Sequence, residues 1–591
     1  MKKLLPNLHF AFLLIAFLLI EKNYAQTPTL LFAEKLETNH LHGIWSRATV
    51  TDLNGNLYVT GLFHGTVDFD PSSSSETLLT YQGGITNDNS GEADVYIAKY
   101  SSSGSLIWVN RLNEPTFVNM NEERANAMII DGNHLYLTGF TSTRGFFVSK
   151  WDINGNEIWT QYFDDTDQNF VSTFAIAKNG SNLLITGTFA NTLDFNPFSE
   201  TNELTGINQD GFLLSLNENG IFQWVKQFRT NGIVFISDIA TDSNNNIFLS
   251  GVFVGTVDIN PNPLIDNFIT SQSVSFGAIS SSFITKLDSN GNFIWNQHIN
   301  GNSTTDIFMS FITVDSNNDI INTFSLKGQA ILPNNNNINT PNHYTSNIIK
   351  FTNNGTTLWN KSFGIPEPVQ STSFPSSFAA NVITDDCNTI YLSGEFSGDC
   401  NFNTTASDIH SSLNNNREAF VTSFDVNGNY NWTIDIGGSG NVDFVDFAGY
   451  LPIALDSDNN IILTGTFRGE MDFDPTIGVQ TLTSNSSGSP DNAGIFISKF
   501  TNPNTCTLLE NSFSKNTYFE IYPNPSKGLF TLKSFWNESE ITIFNLMGKK
   551  IHSLKVNQLE TLIDLQNLEK GIYIIQLEHD NLKTQEKIII N

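Results

Sequence analysis

At 591 residues the chain is longer than one hydrophobic core supports, so it holds at least two domains or a repeat array. Hydrophobic residues make up 39% and charged residues only 15%, against about 25% charged in an ordinary soluble domain, so Asn, Ser and Thr supply the polarity of a turn-rich β protein. The balance of 59 acidic and 29 basic residues, net -30, argues against nucleic acid and anionic membranes as partners; three cysteines, at 387, 400 and 506, make neither a disulfide scaffold nor a CxxC metal knuckle.

Lys2 and Lys3 precede an apolar run from Phe10 to Ile20, and Asn23-Tyr24-Ala25-Gln26 follows. This reads as a signal peptide over residues 1–25 with cleavage between Ala25 and Gln26. The apolar run falls short of the roughly 20 residues that span a bilayer, so no transmembrane segment is expected in the mature chain. Residues 508–591 hold nine Lys and ten acidic residues, whereas residues 26–507 hold 17 basic and 48 acidic ones, so the excess acid sits in the middle of the chain.

That middle is repetitive. The unit Asp242-Ser-Asn-Asn-Asn-Ile-Phe-Leu-Ser-Gly251-Val-Phe-Val-Gly255-Thr-Val-Asp258, continuing to Phe283-Ile-Thr-Lys286-Leu-Asp288-Ser-Asn-Gly291-Asn-Phe-Ile-Trp295, recurs seven times, with equivalent glycines at 61, 139, 187, 251, 394 and 465 and Phe324 in the fifth unit. Each unit reads as four short strands with Asp, Asn and Gly at the tight turns, which predicts a seven-bladed β-propeller over residues 26–507. Lys99 to Trp108, Lys150 to Trp159, Ser215 to Trp224, Lys286 to Trp295, Lys350 to Trp359 and Ser423 to Trp432 are equally spaced, so the hairpin of strands three and four is constant. Length varies between strands two and three, and the face carrying those connections is the expected binding surface. The seventh unit lacks a fourth strand after Lys499, while Leu30-Leu31-Phe32 aligns with Leu106-Ile107-Trp108, so the N-terminal segment is expected to close the ring; Leu508 is the alternative anchor.

These units resemble the bacterial SBBP family, named for seven-bladed β-propeller repeats, most fully at Asp52 to Phe63 with Ile97 to Trp108. The resemblance implies the fold and little about activity.

After residue 507 the pattern changes to Tyr522-Pro523-Asn524-Pro525-Ser-Lys-Gly528, strand-like segments at Leu529–Lys533, Ile541–Asn545 and Leu565–Leu568, a turn at Gly548-Lys549, then Gly571-Ile-Tyr573 and Lys587–Ile590. Several strands in so few residues predict a small β-sandwich over 508–591. It resembles the type A C-terminal sorting domain of the type IX secretion system, which implies passage through the outer membrane, the type IX machinery as a partner, and a secreted or surface location.

No catalytic constellation stands out: there is no HExxH, GxSxG or phosphate loop, and the ten histidines are scattered, His40 and His42 being the nearest pair. Trp108, Trp159, Trp224, Trp295, Trp359 and Trp432 each stand four residues after a glycine, as in quinoprotein propellers, but without the vicinal cysteines of those enzymes; a packing girdle between blades is the simpler reading. Sialidase Asp-boxes place the aromatic residue three after the glycine, which does not fit. Asp68-Phe-Asp70-Pro71, Asp194-Phe-Asn196-Pro197, Asp258-Ile-Asn260-Pro261 and Asp472-Phe-Asp474-Pro475 offer either calcium ligands or Asx turns closed by proline, and the turn is favoured. The Asp-led runs at 52, 152, 288 and 425 lack the acidic residue that ends an EF-hand loop and read as hairpin turns; a bond between Cys387 and Cys400 is not expected across an extended strand. The whole reads as an exported monomeric binding or scaffold protein without catalytic residues, cofactor or metal, its propeller face taking a glycan or protein ligand. The alternative is a polysaccharide hydrolase or lyase using acidic residues of that face.

Overall fold

The computed structural model describes residues 27–590 except 39–42, 73–76, 80–92, 113–122, 143, 164–169, 199, 273–280, 367–375, 443–450, 485–492, 504–518, 523, 525, 535–538, 546–548, 557, 559, 569 and 580–581. The fold is all-β, and the chain divides into two compact units between Cys506 and Thr507. No helix among the described residues is long and apolar enough to cross a membrane.

In the first unit consecutive strands pair antiparallel in sets of four. Sheet one holds Ile44–Thr51, Leu57–Phe63, Asp94–Tyr100 and Leu106–Arg111; sheet two Glu123–Asp131, His134–Thr141, Gly145–Asp152 and Glu157–Phe163. Sheet three holds Val171–Asn179, Asn182–Asp194, Glu203–Asn217 and Phe222–Phe228; sheet four Ile233–Thr241, Ile247–Val254, Ser281–Leu287 and Phe293–Gly301. Sheet five holds Asp306–Val314, Ile320–Ile331, Asn337–Phe351 and Thr357–Phe363; sheet six Ser376–Thr384, Ile390–Ser397, Glu418–Phe424 and Tyr430–Gly438. Sheet seven takes Ile453–Leu455, Ile461–Arg468 and Gly494–Phe500, and its fourth strand is the N-terminal Leu30–Thr38, with Phe32 opposite Lys499. Leu508, the alternative anchor, lies outside the described residues.

The recurring glycine has a packing cause. A bulge in the first strands of sheets one to six, such as Arg47 between Ser46 and Ala48, pushes a carbonyl toward the second strand, so that a Cβ on Gly61 would stand 1.9 Å from the Trp45 oxygen. The third strand places an aromatic ring opposite: Gly61 faces Tyr96, Gly139 Phe147, Gly251 Phe283, Gly394 Phe420 and Gly465 Phe496. Sheet five reverses the pair, and buried Phe324 faces Asn347. One ring per pair fills the same volume from either strand.

Neighbouring sheets are stitched by the lysine and tryptophan of the constant hairpin. Lys99 Nζ and Trp108 Nε1 both donate to the Ile153 carbonyl in the next sheet, each at 3.2 Å. Lys150 and Trp159 share Glu218, Lys286 and Trp295 share Asn353, and Lys350 and Trp359 share Val426. Between the last sheet and the first, Lys499 Nζ donates to the Ser102 carbonyl at 2.9 Å. The first strands of the seven sheets pack side by side in chain order, and that of sheet seven packs on that of sheet one.

Asp52, Asp152, Asp288 and Asp425 each accept backbone N–H bonds from the residues two and four further on, the geometry of tight hairpin turns. Asp68, Asp194, Asp258 and Asp472 form Asx turns with the residue two ahead, and Asp194, Asp258 and Asp472 also bind the backbone beyond the loop, at Asn202, Asn267 and Gln480. Cys387 is disulfide-bonded, Cys400 is a buried thiol with its Sγ 3.6 Å from the Ser397 carbonyl, and Cys506 lies outside the described residues.

The second unit stacks Phe519–Tyr522, Leu529–Ser534 and Glu560–Asp564 against Lys550–Val556, Ser539–Asn545, Gly571–His579 and Leu582–Ile590 over a core of Phe530, Leu532, Ile541, Ile543, Ile575 and Ile588. The strand expected at Leu565–Leu568 is instead a turn closed by Leu568 N–H on the Leu565 carbonyl, and the strand precedes it at Glu560–Asp564. Apolar residues in that turn reach the core without being extended.

Candidate functional site

The edge of the sheets where second strands end and first and third strands begin carries the connections of variable length. Sheets one, four, six and seven insert short hairpins there, such as Asp399–Asn401 with Ile409–Ser411, whereas sheet five extends its second and third strands into a ridge. Between that ridge and sheet six lies a cleft of about 660 Å³ lined by Lys327, His343, Tyr344, Phe378, Glu395 and Arg417.

Pleat alternation puts Lys327 on the exposed side of the ridge. Tyr344 stands with its ring 4.5 Å from that of Phe378, and Lys327 Nζ lies 5.8 Å from the Tyr344 centroid. The Tyr344 hydroxyl donates to the Asp306 carboxylate; burial first and that carboxylate second hold the phenol above its ordinary pKa, so it stays protonated. Arg417 has its backbone fixed from beyond sheet six, its N–H donating to Asn441 Oδ1 at 2.9 Å and its carbonyl accepting from Val442. Its guanidinium, half exposed, reaches to 3.7 Å from buried Glu395. The cleft thus offers the rings of Tyr344 and Phe378, the cations of Lys327 and Arg417, the second of them beside the Glu395 carboxylate, and an imidazole. That is a set for holding a polar, partly anionic molecule.

Two other polar clusters are structural in their geometry. A cavity of about 180 Å³ beside the first strands is lined by Arg47, Asn126, Asp238, Met309, Asn381 and Leu451 among others. There Asp238 accepts from Ile239 N–H at 2.8 Å and, across to sheet five, from Ile312 N–H at 2.9 Å; burial pushes its carboxyl up to about 7 although both bonds pull it down. In sheet six His410 Nδ1 lies 2.7 Å from Asp435 and Nε2 3.8 Å from Asp408, which ties the inserted hairpin to the fourth strand. Burial lowers the imidazole pKa, but the two carboxylates outweigh it and hold it above its ordinary value.

Of the residues singled out from the sequence, Trp108, Trp159, Trp295 and Trp359 are engaged between sheets as described, whereas Trp432 Nε1 is buried without a hydrogen bond from the described residues. Among the described residues no group of three or more metal-ligating side chains comes together. His40, His42, Ala25, Gln26, Pro523, Pro525 and Gly548 lie outside the described residues. Asn524 joins the opening of the tail to its last strand, accepting from Ile589 N–H at 3.0 Å and donating to the Lys587 carbonyl at 2.6 Å. Gly528 adopts φ +87°, and a Cβ there would meet the Gln566 backbone at 2.7 Å, so only glycine fits. Tyr522 is exposed and Tyr573 packs against the sandwich core, while Gly571 begins a strand with open space around it. Lys327, His343, Tyr344, Glu395 and Arg417 escaped the sequence reading because they come from three strands and one connection up to 90 residues apart; the adjacent His343-Tyr344 pair on the long fifth insert was the one local signal.

The chain is 29% identical over 121 residues to an uncharacterised WD repeat-containing protein, L264, of Acanthamoeba polyphaga mimivirus, a match covering 18% of this chain and 8% of that one. Among solved structures it is similar to a PL25 polysaccharide lyase acting on ulvan, at 9% identity and TM-score 0.39, covering 77% of this chain and 98% of that one. A protein of unknown function from Dyadobacter fermentans gives 9% identity and TM-score 0.31 over 79% and 98% of the two chains. PorZ, a surface component of the type IX secretion system of Porphyromonas gingivalis, gives 9% and 0.17 over 94% and 99%. No TM-score among these reaches 0.5, so the likenesses bear on neither ligand nor activity. The family model of the secretion system C-terminal sorting domain matches residues 520–591, and with its opening Asn524 bonded to its final strand that segment is a type IX sorting domain, which sends the chain to the cell surface or beyond.

Proposed function

We propose that the seven four-stranded sheets are the blades of one closed propeller, and that this exported ring binds an anionic stretch of glycan, without turning it over, in the cleft between sheets five and six. The cyclic packing of first strands, the Lys-Trp stitches, the closing strand Leu30–Thr38 and the resemblance of the repeats to the SBBP family support the ring. The observation that carries the binding reading is the convergence of Lys327 and Arg417 on one cleft, in a segment where acidic residues outnumber basic ones 48 to 17. A uronate or sulfate would take the two cations while its ring rests on Tyr344 and Phe378. The acidic surroundings oppose this weakly, because at about 0.15 M salt screening confines their field to roughly 8 Å.

The test is calorimetric titration of the mature full-length chain with hexagalacturonate and with a sulfated galactan oligosaccharide. At least one should bind, and Arg417→Ala and Lys327→Ala should each weaken it about tenfold or more, since a charge-assisted bond contributes about 1.5–3 kcal/mol. Absence of binding to both overturns the reading. The pairing of His343 with a protonated phenol favours a second reading, a lyase or hydrolase, and new reducing or unsaturated ends that vanish in His343→Ala would put catalysis in place of binding.

A further inference from the structure

The ridge of sheet five lines a second cleft. Its distal part pairs Gln329 with Asn339, Ala330 with Ile338 and Ile331 with Asn337, and the outer strand of sheet four runs into it, Asn300 opposite Ile331 and Gly301 opposite Ala330. Ala330 and Ile338 point into the core, so Gln329, Ile331, Asn337 and Asn339 are left on the outer face. Between them and the turn after sheet four lies a cleft of about 570 Å³.

Its chemistry differs from that of the first cleft. Carboxamides line it, from Asn300, Asn302, Gln329, Asn337 and Asn339, and no ionisable side chain does so among the described residues. Asn302 is held in place, its Oδ1 accepting from Thr304 N–H at 2.8 Å and its Nδ2 reaching Gln329 Oε1 at 3.4 Å. Asn300 Oδ1 is shut from solvent and receives no hydrogen bond from the described residues. A carboxamide carries a donor beside an acceptor, the complement of two neighbouring hydroxyls on a pyranose, and those of Asn337 and Asn339 are exposed. An ionised ligand would lose its hydration here with no opposite charge to meet it.

We infer that this cleft is a subsite for a neutral oligosaccharide, separate from the cationic cleft. The inference rests on the glycan reading of that cleft for its biological sense, but on the uncharged amide wall for its chemistry.

The test is titration of the mature full-length chain with xylohexaose, cellohexaose, mannohexaose and laminarihexaose, and in parallel with hexagalacturonate. One or more neutral hexamers should bind, and the double variant Gln329→Ala/Asn337→Ala, both exposed positions, should weaken it at least tenfold with an unchanged melting temperature and unchanged hexagalacturonate affinity. Binding of hexagalacturonate but of no neutral hexamer overturns the amide subsite and leaves the cationic cleft standing. Neutral binding that responds to Gln329→Ala/Asn337→Ala, without acidic binding, supports the subsite and removes the cationic reading. Neutral binding lost in Arg417→Ala but indifferent to the double variant overturns the subsite as well.

Discussion

Phe32 lies against Gly104 as Trp108 lies against Gly155. A Cβ on Gly104 would stand 3.0 Å from the Phe32 ring, and one on Gly155 would stand 2.9 Å from the Trp108 indole. Phe32 faces Lys499 in register as Trp108 faces Lys99. A strand from the beginning of the repeat region therefore supplies the fourth strand of the last sheet, and the strand Gly494–Phe500 would otherwise be an open edge.

Deleting residues 27–38 should lower the melting temperature by several degrees and promote association through the freed edge. Phe32→Ala should act in the same direction by roughly 1–3 kcal/mol, because its ring is only partly buried. Thermal unfolding with light scattering measures both, and an unchanged midpoint in the deletion would mean that another segment closes sheet seven.

The reversed ring pair in sheet five yields a double-mutant cycle. Phe324→Gly removes a fully buried ring and should cost about 3–5 kcal/mol, in the range of large-to-small core changes. Asn347→Phe alone should also destabilise, since it sets a second ring beside Phe324 and breaks the Ser362 Oγ bond to Asn347 Oδ1. Together they should restore much of the loss by reproducing the arrangement of the other sheets. Additive losses in denaturant unfolding would show that the two positions do not share one volume.

The strands, their grouping in fours and the closing segment were legible because turn chemistry and the Gly, Lys and Trp spacings are local and repeat. Phe324 looked like a failed glycine; only its cross-strand partner Asn347 explains it, and pairing register is not a sequence-local property. The same limit hid the cleft. Lys327 and Arg417 are remote in the chain and sit at edges where no period constrains the residue, while Asp238 looks like any strand acid until Ile312 of the next sheet is seen to donate to it. The disulfide of Cys387 is hidden for a like reason, since sequence spacing carries no distance in space.

Asp238 makes stability depend on pH. An acid whose folded pKa, about 7, lies above its ordinary value of 3.8 binds its proton more tightly when folded. Its stabilising contribution is complete below about pH 3.8 and is lost as pH rises through 7. Relative to Asp238→Asn, which keeps one acceptor for the two N–H groups, the native chain should therefore lose stability between pH 4 and 7, by at most about 1.4 kcal/mol per pH unit. Urea midpoints of the two proteins across that range measure the difference. Parallel curves would mean that Asp238 ionises freely and that the inter-sheet bond to Ile312 does not depend on its proton.

The last prediction separates the tail's fold from its address. Asn524 carries two bonds to the final strand, so Asn524→Ala should weaken the small sandwich by about 1–3 kcal/mol while the repeat unit melts unchanged, because the chain divides at Cys506. If the secretion machinery reads a folded tail, the variant should accumulate in the periplasm of a type IX-competent host in proportion to the unfolded fraction of the tail, and removal of residues 508–591 should retain the chain there altogether. A variant with a weakened sandwich that still leaves the cell normally would mean that recognition rests on linear motif residues such as Tyr522 and Gly528. Normal appearance of the truncated chain outside the cell would remove the address from these residues entirely.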